Sequence, residues 1–337
     1  MATVKDVARL AGVSTATVSR TLSNPDKVQE ATRIKVISAA KKLGYSPNAM
    51  ARSLRRQESK TILVILPDIA NAFFSEIVQG IEDIAHREGY KILLGDAGNS
   101  ASRAMSYVDL YDSKQVDGII LLTAEVSREV FENKFLQSQM PVIMACEYFP
   151  GSPIPVININ NQESAQHAVA YLLSLGHTQI ATITGPSNSP ITVDRNIGYE
   201  RALAAQNIPI NEHFSVGGDY SFQSGKDAGR VLLQLTNPPT AIFCHNDEMA
   251  IGVLNIAREL NLNVPNDLSV IGFDDIPFSE YCEPALTTVH QPRELIGQNA
   301  MKALLDRLHE KHGKKGILSQ SLPTQFIVRK SASRPNH

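Results

Sequence analysis

The chain has 337 residues, of which 43% are hydrophobic, and its 32 Lys and Arg side chains nearly balance 34 Asp and Glu side chains. No apolar run approaches the ~20 residues of a membrane span, and no basic-then-apolar leader precedes the first predicted helix. We therefore expect a cytoplasmic protein without a membrane partner. The three cysteines are far apart and lack metal-ligand spacing, which predicts buried thiols and no metal site.

The charge is unevenly distributed along the chain. Residues 1–60 carry 12 Lys and Arg and 4 Asp and Glu, a net charge of +8, whereas the rest of the chain has a net charge of −10. A basic segment joined to an acidic body is typical of a protein that binds a polyanion at one end only.

The first twenty residues have the pattern of a helix-turn-helix. Apolar residues at helical spacing predict a helix over residues 4–11, Gly12 permits a tight turn, and Ser14 can cap a second helix that buries Val18 and Leu22. The exposed residues of the second helix would be Thr15, Ala16, Ser19 and Arg20. Small exposed residues allow a helix to approach base edges in the major groove, and the long Arg20 suits guanine or a phosphate. The alternative is an ordinary surface pair of helices.

A third helix is predicted over residues 30–43. We expect it to end at Gly44 and to pack Ile34, Ile37 and Ala40 against the first two helices.

Residues 45–56 form a short basic segment. Ser46 can cap a helix there and Pro47 suits its first position, but only about two turns fit. A helix so short is marginal alone in water, so we expect it to order only on DNA or against a second copy of the chain.

From residue 61 onwards, predicted strands and helices alternate. A continuous apolar run at 61–67 is typical of a strand buried on both faces, and an amphipathic helix follows at 74–88. Further strands are predicted near 91–95, 118–122, 141–145, 156–159, 179–184, 240–244, 268–273 and 322–328. Further helices are predicted near 101–114, 161–175, 195–206, 222–236, 247–261 and 292–312. This alternation predicts two α/β domains with parallel sheets, a break near 150–160 and several chain crossings between them.

Polar and aromatic residues gather where the predicted strands end. The carboxyl ends of parallel strands meet at one edge of a sheet, which is where ligands bind. The candidates there are Phe73, Phe74, Glu147, Arg195, Tyr220, Asn246 and Asp274. Aromatic rings can sandwich a flat ligand, and Asp, Asn and Arg can hold hydroxyls, so the set predicts a small-molecule site in the cleft between the domains. Each residue taken alone can equally be a helix cap or a packing residue.

Several segments resemble the LacI/GalR family of bacterial transcription repressors. They are residues 4–20, 45–54, 175–177, 238–244, 267–274, 287–292 and 329–331, and the resemblance covers essentially the whole chain. It implies an all-α helix-turn-helix headpiece with a hinge helix, followed by a two-lobed, periplasmic-binding-protein-like α/β body of parallel sheets. We therefore expect domains at 1–46, 47–60 and 61–337. The N-lobe would comprise about 61–160 and 291–320, and the C-lobe about 161–290 and 321–330.

For DNA, the resemblance implies a homodimer that reads a palindromic operator; the short tail after Arg329 lacks the leucine heptads that would make a tetramer. The headpiece contacts would be Thr3, Ser14, Thr15, Ala16, Thr17, Arg20 and Tyr45, of which Thr15, Ala16 and Arg20 would face bases. The hinge contacts would be Asn48, Ala51, Arg52, Leu54 and Arg55. Leu54 would wedge into a minor-groove step and kink the duplex; its alternative role is helix packing.

For the effector, the resemblance implies that Arg195, Asn246 and Asp274 hold sugar hydroxyls while the three aromatic residues stack on the ligand. The body is most similar to the cytidine-responsive branch of the family. This implies a nucleoside such as cytidine acting as an inducer, no cofactor, and a cyclic-AMP receptor protein as a further partner. The loop at 185–191 has no Arg or Lys where purine-responsive members hold the base. That departure argues against a free purine and leaves a simple sugar as the alternative.

Two other classes of protein share parts of the pattern. A solute-binding protein would have the two-lobed body, but it would need an export signal and would not use residues 1–56. An enzyme on doubly wound domains would carry a phosphate-binding motif, yet no G-x-G-x-x-G follows the first strand and no Walker motif occurs. We therefore expect a regulator and not an enzyme.

Overall fold

The computed structural model describes residues 2–23, 25–45, 58–124, 133–134, 140–309 and 319–336. The chain divides into two compact units, Met1–Ser59 and Lys60–His337. Each unit is described separately below. None of the helices in the described ranges is long and apolar enough to cross a membrane.

The first unit consists of three helices around a small core. They are α1 (Val4–Ala11), α2 (Thr15–Ser23) and α3 (Glu30–Lys42), with a 3-10 turn at Pro25–Lys27 between the last two. The core contains Val7, Ala8, Val18, Val36, Ala39 and Ala40, and Leu22 and Tyr45 pack against it. This arrangement agrees with the predicted helix-turn-helix and its buried Val18.

The prediction for the inner face of α3 is wrong in part. Ile34 and Ile37 are 60% and 49% exposed, whereas Ala40 is buried as expected. The buried positions are Val36, Ala39 and Ala40, spaced i, i+3 and i+4, so the inner stripe is rotated away from the two isoleucines. Small side chains allow α3 to approach the other two helices closely, and the bulkier ones remain at the surface.

The five hinge residues predicted to contact DNA, namely Asn48, Ala51, Arg52, Leu54 and Arg55, lie outside the described residues.

The second unit alternates strands and helices. Its strands are β1 (Thr61–Leu66), β2 (Lys91–Asp96), β3 (Gly118–Leu121), β4 (Val142–Ala145), β5 (Val156–Ile159), β6 (Ile180–Thr184), β7 (Ser215–Gly217), β8 (Ala241–Cys244), β9 (Ser269–Ile271), β10 (Thr288–His290), β11 (Gln320–Leu322) and β12 (Gln325–Ile327). Its helices are α4 (Phe73–Arg87), α5 (Ala101–Asp112), α6 (Asn161–Leu175), α7 (Pro190–Ala205), α8 (Phe222–Leu233), α9 (Asp247–Glu259), α10 (Phe278–Tyr281) and α11 (Arg293–His309), with a 3-10 turn at Glu212–Phe214.

Two parallel sheets organise this unit. The first has the order β11-β5-β4-β3-β1-β2 and the second the order β7-β6-β8-β9, while β10 and β12 form an antiparallel pair. We call the first sheet with α4, α5 and α11 the N-lobe, and the second sheet with α6 to α9 the C-lobe. β8 is apolar throughout, and β1 is apolar after Thr61, because helices cover both faces of the sheets. The predicted fold class is confirmed.

The chain passes between the lobes three times. The crossings lie between β5 and α6, between β10 and α11, and between β11 and β12. Several crossings were predicted, and they make the carboxyl edges of both sheets face a shared cleft.

Glycines bring paired helices into close contact. A Cβ at Gly252 would collide with the Phe222 carbonyl oxygen in the α8–α9 pair, and one at Gly297 would collide with the Ile77 carbonyl oxygen in the α4–α11 pair. No larger residue fits these two positions without separating the helices.

Candidate functional site

Helix α2 of the first unit is held at its start by its own sequence. Gly12 ends α1 in the left-handed conformation, with a φ of 66°. The backbone N–H of Thr17 donates to Ser14 Oγ at 3.1 Å, and the two hydroxyls of these residues lie 2.9 Å apart. The cap predicted at Ser14 is therefore present, and it fixes the first turn of α2.

The exposed face of α2 begins with small residues. Thr15, Ala16 and Arg20 are exposed, Thr17 and Ser19 are half-buried, and the core side of the helix is closed by Val18. Since Thr15 and Ala16 have short side chains, the first turn of α2 can come close to a flat surface, while Arg20 supplies one long cationic side chain.

Two other headpiece candidates have structural roles as well. Thr3 caps α1 because its hydroxyl oxygen accepts from Asp6 N–H at 3.4 Å. In return, Asp6 Oδ2 accepts from the Thr3 hydroxyl at 2.7 Å and from the Thr3 backbone N–H at 2.9 Å. These hydrogen bonds lower the pKa of Asp6. Tyr45 is half-buried and packs against the headpiece core.

A cavity of about 260 Å³ lies between the lobes of the second unit, at the carboxyl edges of both sheets. All seven residues proposed for an effector line it: Phe73, Phe74 and Glu147 from the N-lobe, and Arg195, Tyr220, Asn246 and Asp274 from the C-lobe. The structure thus brings together residues that are up to two hundred positions apart in the sequence.

Arg195 is the central cation of this cavity. It is 3% exposed, and its guanidinium stacks on the Phe273 ring with 3.8 Å between Cζ and the ring centroid. Its Nε donates to Asn161 Oδ1 at 2.9 Å, and its Nη1 donates to the His245 carbonyl oxygen. Nη2 lies 3.7 Å from Asp274 Oδ1. These contacts fix the guanidinium plane, as a residue that orients a ligand requires.

Asp274 is the buried carboxylate beside Arg195. It is 5% exposed, and its Oδ1 accepts a hydrogen bond of 2.7 Å from Gln291 Nε2. Burial raises its pKa to about 6, although Arg195, Gln291 and Arg293 all act to lower it. Among the described residues, Oδ2 has no hydrogen-bond partner, so this oxygen can accept from a ligand hydroxyl.

The aromatic residues come from both sides of the cleft. The rings of Phe73 and Phe74 pack edge to face with centroids 5.1 Å apart. The Tyr220 hydroxyl lies 2.7 Å from Thr192 Oγ1, and the absence of a side chain at Gly185 leaves room for the tyrosine ring. A flat ligand can therefore meet ring surface contributed by either lobe.

Both polar atoms of the Asn246 side chain form hydrogen bonds within the protein, which its position after a strand did not predict. Its Oδ1 caps α9 by accepting from Met249 N–H at 3.0 Å, and its Nδ2 donates to the Tyr220 carbonyl oxygen at 2.8 Å. One amide hydrogen is left for a ligand. Asn246 therefore also positions the Tyr220 backbone.

Sequence reasoning missed several residues of this site. Asn161 and Gln291 orient Arg195 and Asp274, and both follow strand ends, so the strand-end rule could have found them. Glu248 lines the cavity and accepts a 3.3 Å hydrogen bond from Ala72 N–H across the cleft. No motif distinguishes Glu248 in the sequence, because its role depends on an N-lobe backbone group 176 positions away.

Asp247 holds together the segments behind the cavity. Its carboxylate accepts from Ile276 N–H at 2.9 Å, from Ser279 Oγ at 2.6 Å and from Thr288 Oγ1 at 2.6 Å. Burial raises its pKa to about 7, and burial likewise raises the pKa of Glu248 to about 7.

Two more hydrogen bonds join the lobes around the cavity. Ser189 Oγ donates to Glu147 Oε1 at 2.9 Å, and the Tyr148 hydroxyl donates to Asp194 Oδ2 at 2.7 Å. With the Glu248 contact, these hydrogen bonds bridge the cleft at separate places along its rim. Within the described ranges, no group of three or more His, Cys, Asp or Glu side chains is arranged to hold a metal ion.

A helix-turn-helix unit followed by a two-lobed α/β body with a cleft defines a DNA-binding transcription regulator. Residues 3–48 match the lacI family of bacterial regulatory proteins, and residues 169–332 match a periplasmic binding protein-like domain.

Comparison with known proteins gives the family. The HTH-type transcriptional repressor CytR of Escherichia coli (strain K12) is 44% identical to this chain over 332 residues, which are 98% of this chain and 96% of that protein. The HTH-type transcriptional repressor PurR of Vibrio campbellii is 35% identical over 336 residues and is covered completely, as is this chain. The chain belongs to the lacI family of DNA-binding transcriptional repressors.

A solved structure agrees with this assignment. The lac repressor dimer bound to operator and the anti-inducer ONPF superimposes with a TM-score of 0.88 at 30% identity, covering 98% of this chain and 99% of that chain. Because the matched relatives are repressors, the expectations of a transcriptional repressor and of a protein without enzymatic activity are confirmed.

Proposed function

We propose that this repressor binds a two-fold symmetric operator as a homodimer and is released from it by a nucleoside, with cytidine as the first candidate. The observation that carries the effector proposal is the single cavity that combines Phe73, Phe74 and Tyr220 with Arg195 and Asp274. The rings offer faces for a base, and the buried donor and acceptor suit ribose hydroxyls. The cavity volume is about 260 Å³, which is below the roughly 300–1,000 Å³ of pockets for drug-sized ligands. It therefore favours a ligand smaller than a typical drug molecule.

Support for a dimer comes from the surface of the C-lobe. Phe278 is 55% exposed and Tyr281 is 83% exposed, and Phe222 meets Phe278 with ring centroids 6.5 Å apart. Exposed aromatic clusters of this kind mark interaction surfaces. The lac repressor relative is a dimer on its operator, so we assign this surface to a second copy. Tyr281→Asp is expected to shift the sedimentation of the protein towards the monomer and to weaken operator binding; an unchanged dimer would refute the assignment.

The operator side of the proposal rests on α2 and on the +8 charge of residues 1–60. Thr15, Ala16 and Arg20 read bases, and Leu54 of the hinge is the proposed minor-groove wedge. Leu54→Ala is expected to weaken specific binding more than non-specific binding, because only the specific complex gains contacts from the kink. An equal loss on operator and on random DNA would contradict the wedge.

Calorimetry distinguishes a nucleoside effector from a sugar effector. Cytidine is expected to bind well, ribose poorly because stacking is lost, and cytosine poorly because the hydroxyl contacts are lost. In a gel shift, cytidine should release the operator, and by linkage the operator must weaken cytidine binding by the same factor. Ribose that binds as tightly as cytidine would refute the nucleoside, and cytidine that strengthens the DNA complex would refute induction.

A simple sugar is the second candidate effector. Arg195 and Asp274 suffice for hydroxyls, and the phenylalanine rings could pack on the apolar face of a pyranose or pentose. A purine base has less support, since the described loop residues that line the cavity, Pro186, Asn188, Ser189 and Ile191, include no cationic side chain to hold it.

A further inference from the structure

The charges that line the effector cavity are strongly unbalanced. Among the described lining residues, Arg195 is the only cationic side chain. The carboxyl groups that line the same cavity are those of Asp68, Glu147, Asp219, Glu248 and Asp274. They come from both lobes. Asp274 is paired with Arg195, and burial raises the pKa of Glu248 to about 7, so Glu248 adds its full negative charge only above neutral pH.

Arg195 does not offset this imbalance for a ligand. Its guanidinium already contacts Asn161, the His245 carbonyl oxygen and Asp274, and it stacks on Phe273. Its charge is shared with a buried carboxylate 3.7 Å away. The Nη2 group can still donate to a hydroxyl, but the described part of the cavity lining offers no uncompensated cation to an anion.

Helix N-termini are the other groups that bind anions in this kind of fold. Here the helix starts at the cavity each already donate one N–H to a cap from the chain itself. Ser189 caps α7, Ser221 caps α8 and Asn246 caps α9, each by accepting a backbone N–H within its own first turn. At the start of α4, Asn71 accepts from Phe73 N–H and Glu248 accepts from Ala72 N–H.

We infer that the cavity selects by charge: it admits an uncharged ligand and excludes the phosphorylated form of the same molecule. The inference rests on the proposed effector site and adds the ligand's charge to it. A cell holds nucleosides beside their phosphate esters, and the two share the base and most of the ribose. Contacts to rings and hydroxyls alone would bind both. The carboxylates supply the repulsive element that distinguishes them, so the sensed molecule is the product of phosphate-ester hydrolysis and not its substrate.

The size of the discrimination follows from Coulomb's law. A phosphate several ångströms from a carboxylate, at an effective dielectric constant of about 20, loses at least about tenfold in affinity for each such neighbour. Two such neighbours suffice for a factor of at least about 100, so we expect cytidine to bind at least about 100-fold more tightly than cytidine 5′-monophosphate. Asp219 is exposed, so its share of this ratio should fall as sodium chloride rises from about 0.1 M to about 1 M, whereas the share of the buried Glu248 should persist.

The test uses calorimetry on the full-length protein with two matched pairs: cytidine against cytidine 5′-monophosphate, and ribose against ribose 5-phosphate. The Asp219→Asn/Glu248→Gln double variant removes two lining charges while keeping the side-chain shapes. At about pH 8, where Glu248 is mostly ionised because its pKa is about 7, the double variant should narrow the ratio of affinities about 100-fold, mainly by strengthening the binding of the phosphorylated member. The control is Glu212→Gln, which removes one exposed charge outside the cavity and should leave the ratio unchanged.

The outcomes separate this inference from the proposed function. Phosphorylated ligands that bind within about threefold of their neutral partners would overturn charge selection and leave the nucleoside proposal standing. An unchanged ratio in the double variant would also overturn it. A protein that ignores cytidine but binds ribose and rejects ribose 5-phosphate would refute the cytidine proposal and support charge selection.

Discussion

Neutralising Asp274 should make the ligand-free body more stable while weakening the effector. The Asp274→Asn substitution keeps the side-chain volume and leaves a carbonyl oxygen in place of Oδ1, where Gln291 donates at 2.7 Å and Arg195 lies 3.7 Å away. It replaces Oδ2, which has no hydrogen-bond partner among the described residues, with an amide donor. Two opposing energies decide the result: attraction to Arg195, and the desolvation of a carboxylate that is 5% exposed.

Desolvation is the larger of the two, because the pKa of Asp274 is raised from 3.8 to about 6 despite the nearby arginines. A rise of about two units corresponds to about 3 kcal/mol of free energy against the charged form in the folded state. The amide must still be buried, so we expect a net gain of about 1–2 kcal/mol. At roughly 2–4 °C per kcal/mol for a chain of this size, the Tm should rise by a few degrees.

The pH dependence of folding stability shows independently that ionised Asp274 destabilises the folded state. Below about pH 4, Asp274 is protonated in both the folded and the unfolded states and contributes nothing. Between about pH 4 and 6 only the folded state keeps the proton, so the wild-type stability falls as the pH rises, and above about pH 6 the whole penalty is present. The variant lacks this contribution. Its advantage should therefore appear as the pH rises from about 4 to 6 and should then stay constant.

The assay is calorimetric melting of the full-length protein at several pH values, with Glu212→Gln as an exposed carboxylate control. Ligand binding by the Asp274→Asn variant should weaken at least about tenfold, because a charge-assisted hydrogen bond is lost. A variant that melts lower than the control at pH 7.5 would show that attraction to Arg195 exceeds desolvation. The reasoning above would then be refuted.

Three further predictions concern the headpiece and the lobes. Ser14→Ala should destabilise the headpiece by about 1 kcal/mol in thermal melts followed by circular dichroism. Ser14→Asp should keep the cap yet weaken operator binding in gel shifts; equal stability losses in both variants would contradict the capping role. Arg20→Ala should cost about 1–3 kcal/mol on the operator and less on random DNA in titrations, and uniform loss would place Arg20 on phosphates. Gly252→Ala should lower stability by about 1–3 kcal/mol in chemical unfolding. Gly217→Ala, which meets nothing within 4 Å, should cost less, and equal losses would refute the close-packing argument.

The sequence predicted most of the architecture because each strand and helix carries its own local pattern. It also located the cavity, since strand-end residues such as Glu147 and Asp274 must gather at one edge of parallel sheets. The pattern predicts that α7 starts at 195, whereas the helix begins at Pro190. The local sequence contains a signal for the earlier start, because Ser189-Pro190 is a cap followed by a favoured first residue.

Other features could not be predicted from local patterns. Ile34 and Ile37 have the apolar side chains of core residues. Which face of α3 is buried depends, however, on the side chains of the other two helices that pack against it. The role of Glu248 depends on the Ala72 backbone N–H of the opposite lobe. The raised pKa of Asp274 depends on how deeply the cleft buries it. These properties arise from tertiary contacts between distant segments.

The three crossings between the lobes also determine when each lobe can complete its fold during synthesis of the chain. The N-lobe sheet is completed by β11, and α11 covers the face formed partly by Ile77 and Ile81 on α4. Both elements leave the ribosome only after the main part of the C-lobe, from α6 to β9, has been synthesised. Until then the nascent chain carries an uncovered apolar helix and an unfinished sheet edge, both of which are prone to aggregation. A chain cut short before residue 290 would therefore leave two incomplete lobes and not one working half, so a nonsense mutation in the body before that residue should abolish control of the operator.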